Sequence, residues 1–167
     1  MLIKQATKDD FSALRELELA SFETLRSVGA VSGLPTASSD EELQCYFNAE
    51  LLYAAFDSEN IPVGYAGAHI EEGWLHIAEV DVHPKWQRKG IGRRLMATLL
   101  NDGRTRKLKG ATLTTDRFAA FNAPFYTSMG FQLVEKEQCS ERLKEILRSE
   151  KLRGLDSLRR VAMMIIF

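Results

Sequence analysis

The chain has 167 residues, 45% hydrophobic and 27% charged, enough for one core burying roughly 70% of the unfolded surface; its 11 Gly and 4 Pro exclude a collagenous or low-complexity chain. The longest apolar runs, residues 51–56 and 161–167, fall short of the roughly 20 residues a membrane-spanning helix needs, and Cys45 and Cys139, without CxxC spacing, exclude a disulfide scaffold. The net charge of −1 conceals an asymmetry: residues 1–83 hold 4 basic and 15 acidic side chains, whereas residues 84–110 hold 9 basic and 1 acidic.

The opening MLIKQATKDD carries acids where a signal peptide would place its apolar core. A cytoplasmic protein forming a single domain over residues 1–167 is expected. Residues 1–6 alternate as a first strand, and Thr7 with Asp10 forms a capping-box pair. Phe11, Leu14, Leu17, Leu19 and Phe22 recur near the helical period, which predicts an amphipathic helix over residues 10–23. Residues 27–39 read as a loop, and Ser39 or Asp40 caps a second helix to about residue 49, packing Leu43, Tyr46 and Phe47. Three antiparallel strands follow over residues 51–56, 62–70 and 74–82. A helix from Gly90 carries Ile91, Leu95, Leu99 and Leu108, Gly110 stops it, and a threonine-rich strand covers residues 111–115. Strand, helix, strand in that order implies a right-handed crossover and local parallel pairing. A short helix over 122–129, a strand over 131–137, a helix over 140–153 and a strand over 160–167 complete the chain.

The most informative stretch is VDVHPKWQRKGIGR, residues 80–93. A strand ends, a loop turns and a helix begins. Gly90 and Gly92 lack Cβ, so backbone N–H groups can converge on an anion at the positive end of the helix dipole. Phosphate suits that arrangement, and Arg88, Lys89, Arg93 and Arg94 add charge while Ile91 points inward. Neither GxGxxG nor GxxxxGK[ST] fits the spacing. The Q-x-x-G-x-G pattern at Gln87, Gly90 and Gly92 resembles the acyl-CoA pyrophosphate loop of the GNAT superfamily of N-acetyltransferases. The preceding V-D-V-H-P and the later FYTSMGF appear in that family's order.

The resemblance spans nearly the whole chain, least over residues 140–167. It implies an α/β (α+β) GNAT fold: a mixed, mostly antiparallel sheet of about seven strands flanked by helices and splayed between the fourth and fifth strands. It further implies acetyl-CoA as co-substrate, with pantetheine pairing the backbone of Val80, Asp81 and Val82 opposite Thr115, beside Phe125, and the pyrophosphate at Gln87 to Arg93. Tyr126 matches the family's general acid, near the thioester sulfur. The family's pantetheine-binding asparagine lies seven residues before that tyrosine, where this chain has Ala119; Asn122 stands nearby as a cap or as a substitute contact.

Acetyl transfer to an amine requires loss of an ammonium proton, polarisation of the thioester carbonyl and a proton for the thiolate. Backbone N–H groups at a strand bulge can polarise the carbonyl. Glu79, His76 and Asp81 are candidate bases, Glu79 being preferred. Period-two alternation puts Glu79 and Asp81 on one face and His76 with Val80 on the other unless a bulge intervenes. His69, His76 and His83 are not spaced as a metal cluster, so no metal is expected. The acidic first half favours a cationic small-molecule or peptidyl amine. Nucleic-acid binding is not expected, since Trp86 is the only aromatic in the basic stretch and no helix-turn-helix or RNA-reading motif is present. A non-catalytic acyl-CoA-binding module is the alternative reading. The helix over 140–153 either covers the sheet, lines the acceptor cleft or makes a homodimer contact.

Overall fold

A computed structural model describes residues 1–120 and 122–167. Seven strands form one sheet, ordered β1-β2-β3-β4-β5-β7-β6. They are β1 (Leu2–Gln5), β2 (Leu52–Phe56), β3 (Pro62–Glu71), β4 (Trp74–Val82), β5 (Gly110–Asp116), β6 (Gln132–Val134) and β7 (Arg160–Ile166). Neighbouring strands run antiparallel except β4 and β5, which are parallel. This is the expected splayed, mixed sheet. The helices are α1 (Phe11–Ser27), α2 (Asp40–Asn48), α3 (Ile91–Thr105), α4 (Ala123–Ser128) and α5 (Glu141–Leu152). Among the described residues, none is long and apolar enough to cross a membrane.

Alternation along the strands sorts side chains between two layers. On one face α3 buries Ile91, Leu95, Met96 and Leu99 against Val63, Ala66, Leu75 and Ile77, each large side chain contributing roughly 1.5–3 kcal/mol. On the other, α1 and α2 bury Phe11, Leu14, Leu17, Leu43 and Tyr46 against Leu52, Ala54, Phe56 and Tyr65. Helix α5 covers the far end of that face, packing Leu143, Ile146 and Leu147 on Val134, Ala162 and Met164.

The Thr7 amide donates to the Asp10 carboxylate at 2.8 Å, and Ser39 caps α2 by accepting from the Glu42 amide at 3.2 Å. Three expectations are corrected. Helix α1 runs to Ser27. Leu108 lies beyond the end of α3, although it still packs on the core. The strand expected over 131–137 stops at Val134, because a 3-10 turn over Lys136–Gln138 redirects the chain into α5 and the buried Cys139 donates its Sγ–H to the Val134 carbonyl at 3.8 Å.

A bulge sets the faces of β4. Its register against β3 passes from Gly67 opposite Glu79 to Ala68 opposite Ile77, leaving Ala78 unopposed. A Cβ at residue 67 would fall on the Tyr46 ring, so glycine lets that ring lie over the sheet beside the bulge. Leu75, Ile77, Val80 and Val82 consequently face the α3 layer. Glu79 and Asp81 share the opposite face as expected, but His76 joins them there rather than pairing with Val80: the extra residue reverses the alternation.

Candidate active site

The end of β4 and the start of α3 are joined by a turn held at both ends. The Gln87 side-chain amide donates to the Val82 carbonyl at 3.0 Å, and His83 Nδ1 accepts from the Lys85 amide at 3.1 Å. Arg88 and Gly90 both adopt left-handed backbone, with φ of 62° and 81°. The first i to i−4 bond of α3 runs from the Arg94 amide to the Gly90 carbonyl at 3.1 Å. The N–H groups of Gly90, Ile91, Gly92 and Arg93 therefore have no partner inside the helix, and they sit where its dipole is positive. A Cβ at Gly90 would meet open space; one at Gly92 would lie 3.8 Å from Val82 Cγ2 and 3.9 Å from Phe125 Cζ.

Beside this turn runs a groove of about 680 Å³. The strand end Val80, Asp81 and Val82 forms one wall, the turn residues Gln87, Arg88, Gly90, Ile91, Gly92 and Arg93 the floor, and Asn122, Phe125 and Tyr126 the other wall. Lys89 lies outside that lining, with Nζ 4.9 Å above the Trp86 ring. Arg93 does more than add charge: it donates to Ser128 Oγ at 2.9 Å and lies over the Phe125 ring, clasping the start of α3 to α4.

The groove enters a wedge in the sheet. Strands β4 and β5 pair only at Leu75 with Ala111 and His76 with Thr112, then diverge, while β5 stays paired with β7 along its length. Backbone groups of β4 facing the wedge are left without ladder partners. Across the wedge lies a second pocket of about 300 Å³, lined by Glu18, Glu79, Thr115, Glu150 and Arg160 among others. The two cavities share Leu25, Val80, Asp81, Asn122 and Tyr126.

The shared wall has unusual electrostatics. Tyr126 packs its ring against Phe125 and Phe131 at centroid distances of 5.1 and 6.0 Å. Burial, then the charges of Asp81 and Glu79, push its phenol above the ordinary range, so the proton is retained at neutral pH. Burial also raises the Glu79 carboxyl well above its usual value, with the charges of Asp81 and Glu18 next in importance. Asp81 is pushed up to about 7 by burial and by Glu18, against a hydrogen bond from Ser21.

Glu18 is the residue the sequence reading missed. It is 7% exposed and accepts from Ser38 Oγ at 2.8 Å, from the Tyr65 hydroxyl at 2.9 Å and from the Ser38 amide. Carboxylate oxygens of Glu18, Glu79 and Asp81 lie within 4.8 Å of one another. The signal was present: Glu18 and Ser21 continue the stripe begun by Phe11 and Leu14, placing polar groups where an amphipathic helix should bury apolar ones.

His76 lies apart from both cavities, at the closed end of the wedge, with Nδ1 2.9 Å from Thr112 Oγ1. Burial lowers its pKa to about 3, helped by His69 and Arg142, so it is neutral. Ala119 is buried, its amide donating to Asp116 Oδ1 at 2.7 Å, and it offers no polar side chain; Asn122 instead lines both cavities. Helix α5 takes the first of its expected roles and also borders the second pocket. It covers the sheet, and its Glu150 reaches the second pocket, accepting from Thr114 Oγ1 at 2.6 Å and from Arg160.

The family described as Acetyltransferase (GNAT) domain matches residues 23–146. Among solved structures, the chain is similar to PaiA N-acetyltransferase from Thermoplasma acidophilum in complex with coenzyme A, with a TM-score of 0.70, 14% identity and coverage of 99% of this chain and 98% of that one. It is similar to ribosomal-protein-alanine N-acetyltransferase from Brucella melitensis, with a TM-score of 0.67, 22% identity and coverage of 100% of both chains. N-acetylglutamate synthase from Neisseria gonorrhoeae, complexed with coenzyme A and N-acetyl-glutamate, gives a TM-score of 0.69 and 18% identity over 96% of this chain and 34% of that one.

Proposed function

The chain belongs to the GNAT acetyltransferase family, and from that premise we propose that it moves an acetyl group from acetyl-CoA to a primary amine by direct attack within a ternary complex. The observation that carries this reading is the junction of the two cavities at Val80, Asp81, Asn122 and Tyr126. A thioester delivered along the groove and an amine delivered through the pocket would meet there.

The residues suit the co-substrate. The unpaired amides from Gly90 to Arg93, with Arg88 and Lys89 near, would receive the pyrophosphate. Pantetheine would lie along Val80 to Val82, adding to the strand edge that the wedge leaves open, with Asn122 and Phe125 completing the groove walls, whereas Thr115 lines the second pocket. Glu79 takes one proton from the ammonium, whose nitrogen then attacks the thioester carbon. A backbone N–H beside the Ala78 bulge steadies the oxygen that gains charge. As the C–S bond breaks, Tyr126 protonates the departing thiolate. The second amine proton leaves as the amide forms; with Tyr126 reprotonated, each cycle yields amide, thiol and one proton to solvent. The route uses no metal.

The acceptor is a small molecule or a peptide end, and the acidic residues 1–83 favour one that arrives as a cation. Replacing Tyr126 by Phe removes the donated proton while keeping the ring. Amine-dependent thiol release should fall by about 100-fold, and coenzyme A affinity by calorimetry should be unchanged. Undiminished thiol release would remove Tyr126 from the mechanism, and absence of coenzyme A binding to the wild type would overturn the whole reading.

A further inference from the structure

We propose that Arg159 is a positioning residue for acetyl transfer: by its fork on Asp116 it fixes where Tyr126 stands at the junction of the two cavities. The proposal rests on the acetyl-transfer reading and adds to it a residue that lines neither cavity.

Helix α4 cannot place Tyr126 unaided. It spans six residues, Ala123–Ser128, and no side chain caps its start. A helix this short is unstable alone in water, so its position comes from what holds its two ends. The C-terminal end is held by Arg93, which donates to Ser128 Oγ, and by the Phe131 amide, which donates to the Tyr126 carbonyl at 3.1 Å. The start is held by a series of bonds that begins at Arg159. Its Nε and Nη2 donate to the two oxygens of Asp116 at 2.7 and 3.1 Å. Asp116 Oδ1 also accepts from the Phe118 and Ala119 amides at 2.8 and 2.7 Å. The Ala119 carbonyl accepts from the Asn122 amide at 3.0 Å, and the Asn122 carbonyl accepts from the Tyr126 amide at 3.0 Å.

The series is stiff where it starts. Asp116 is fully buried. Burial would raise its carboxyl, but the bonds from Arg159 and from the Ala119 and Phe118 amides outweigh it and hold the pKa below its ordinary value. The carboxylate is thus ionised, and a planar guanidinium gripping both oxygens fixes its rotation as well as its distance. The Arg117 amide donates to the Arg159 carbonyl at 2.7 Å, so backbone and side chain of Arg159 both hold the segment after β5. The same guanidinium donates to the Val28 carbonyl at 3.4 Å, at the C-terminal end of α1, where the helix dipole favours a cation. The loop beyond enters the lining of the second pocket through Val31 and Leu34. One side chain therefore sets the helix that carries Tyr126 against the wall of the pocket on the amine side. Displacement of reacting groups by about 1 Å can cost about 100-fold in rate.

The test combines kinetics and hydrogen exchange on the full chain. Thiol release from acetyl-CoA is followed with n-butylamine as the acceptor probe. Arg159→Ala should lower kcat by about 30-fold and change the KM for acetyl-CoA by less than about twofold, because the turn from Gly90 to Arg93 is built without it. Arg159→Lys, which keeps the charge but not the fork, should recover part of the loss. In a Tyr126→Phe background, Arg159→Ala should cost less than about threefold more, since a residue acting through the Tyr126 proton then has nothing to position. An ion pair that merely stabilised the fold would lower both backgrounds alike. Such additivity would overturn the proposal, as would a loss confined to KM. Hydrogen exchange reads the same series without turnover. The amides of Ala119, Asn122 and Tyr126 should exchange at least about tenfold faster in Arg159→Ala, while those of residues 95–99 keep their wild-type rates; unchanged exchange at all three would also overturn it. If Arg159→Ala does not fold, Arg159→Lys carries the same comparisons. Absent coenzyme A binding to the wild type would instead mark failure of the acetyl-transfer reading, and exchange would still decide whether Arg159 holds Tyr126 in place.

Discussion

Asp81 takes its proton affinity from its surroundings. With its carboxyl raised from 3.8 to about 7 by burial and by Glu18, the folded protein binds more protons than the unfolded chain between about pH 4 and pH 7. In that window the Asp81 contribution to stability falls as pH rises, and it is lost once pH passes 7. Glu79 acts with the same sign. His76 acts with the opposite sign: held neutral with a pKa of about 3, it lowers stability as acid protonates the unfolded chain below about 6.5. The informative quantity is therefore a difference between proteins. Asp81→Asn should be more stable than wild type at pH 8 by at least about 1.4 kcal/mol, the equivalent of one pKa unit, and the gap should close towards pH 4. Urea unfolding at pH 4, 6 and 8 measures it; a gap independent of pH would show that the Asp81 carboxyl titrates alike in both states.

At the scale of elements, the turn into α3 separates two uses of glycine. Gly90 is needed for its backbone, at φ 81° in open space, whereas Gly92 is helical and faces Val82 and Phe125 across the groove. Gly90→Ala should lower stability by about 1 kcal/mol and weaken coenzyme A, because the helix start shifts. Gly92→Ala should leave stability equal or higher, since alanine is the better helix former, yet weaken coenzyme A by filling the groove. Chemical denaturation and calorimetry on the same samples separate the two; equal coenzyme A affinity in both variants would move the ligand away from the turn. This turn was legible in the sequence because its parts are consecutive, Gln87 through Arg93, and the same holds for the alternation of β1 and for Ser39 as a cap. The bulge at Ala78 was not, because it depends on Gly67 in the neighbouring strand and on the Tyr46 ring of α2. Nor was the meeting of Glu18 with Glu79 and Asp81, which requires α1 to be laid across β4. Tyr126 could be picked out from its motif, but the setting of its ring comes from Phe125 and Phe131 packing around it.

For the whole molecule, the parting of β4 from β5 opens a passage through an otherwise continuous sheet. Hydrogen exchange should reveal its use: coenzyme A should slow exchange over residues 80–82 and 90–93, while amides of β2, already paired on both sides by β1 and β3, should not respond. Uniform slowing across the sheet would instead indicate general tightening. The strand order has a temporal consequence. Strand β7 lies between β5 and β6 and supplies the partner for both, matching Gly110 with Ile166 and Val134 with Ala162. While the ribosome is still making α5, β6 has nothing to pair with, β5 has only its two-residue parallel contact with β4, and the Asp116 to Arg159 bond cannot form. A nascent chain can thus assemble β1 to β4 around α3, anion turn included, well before Tyr126 has a fixed position. The wall that carries Tyr126 is completed last, with the strand that joins β5 to β6.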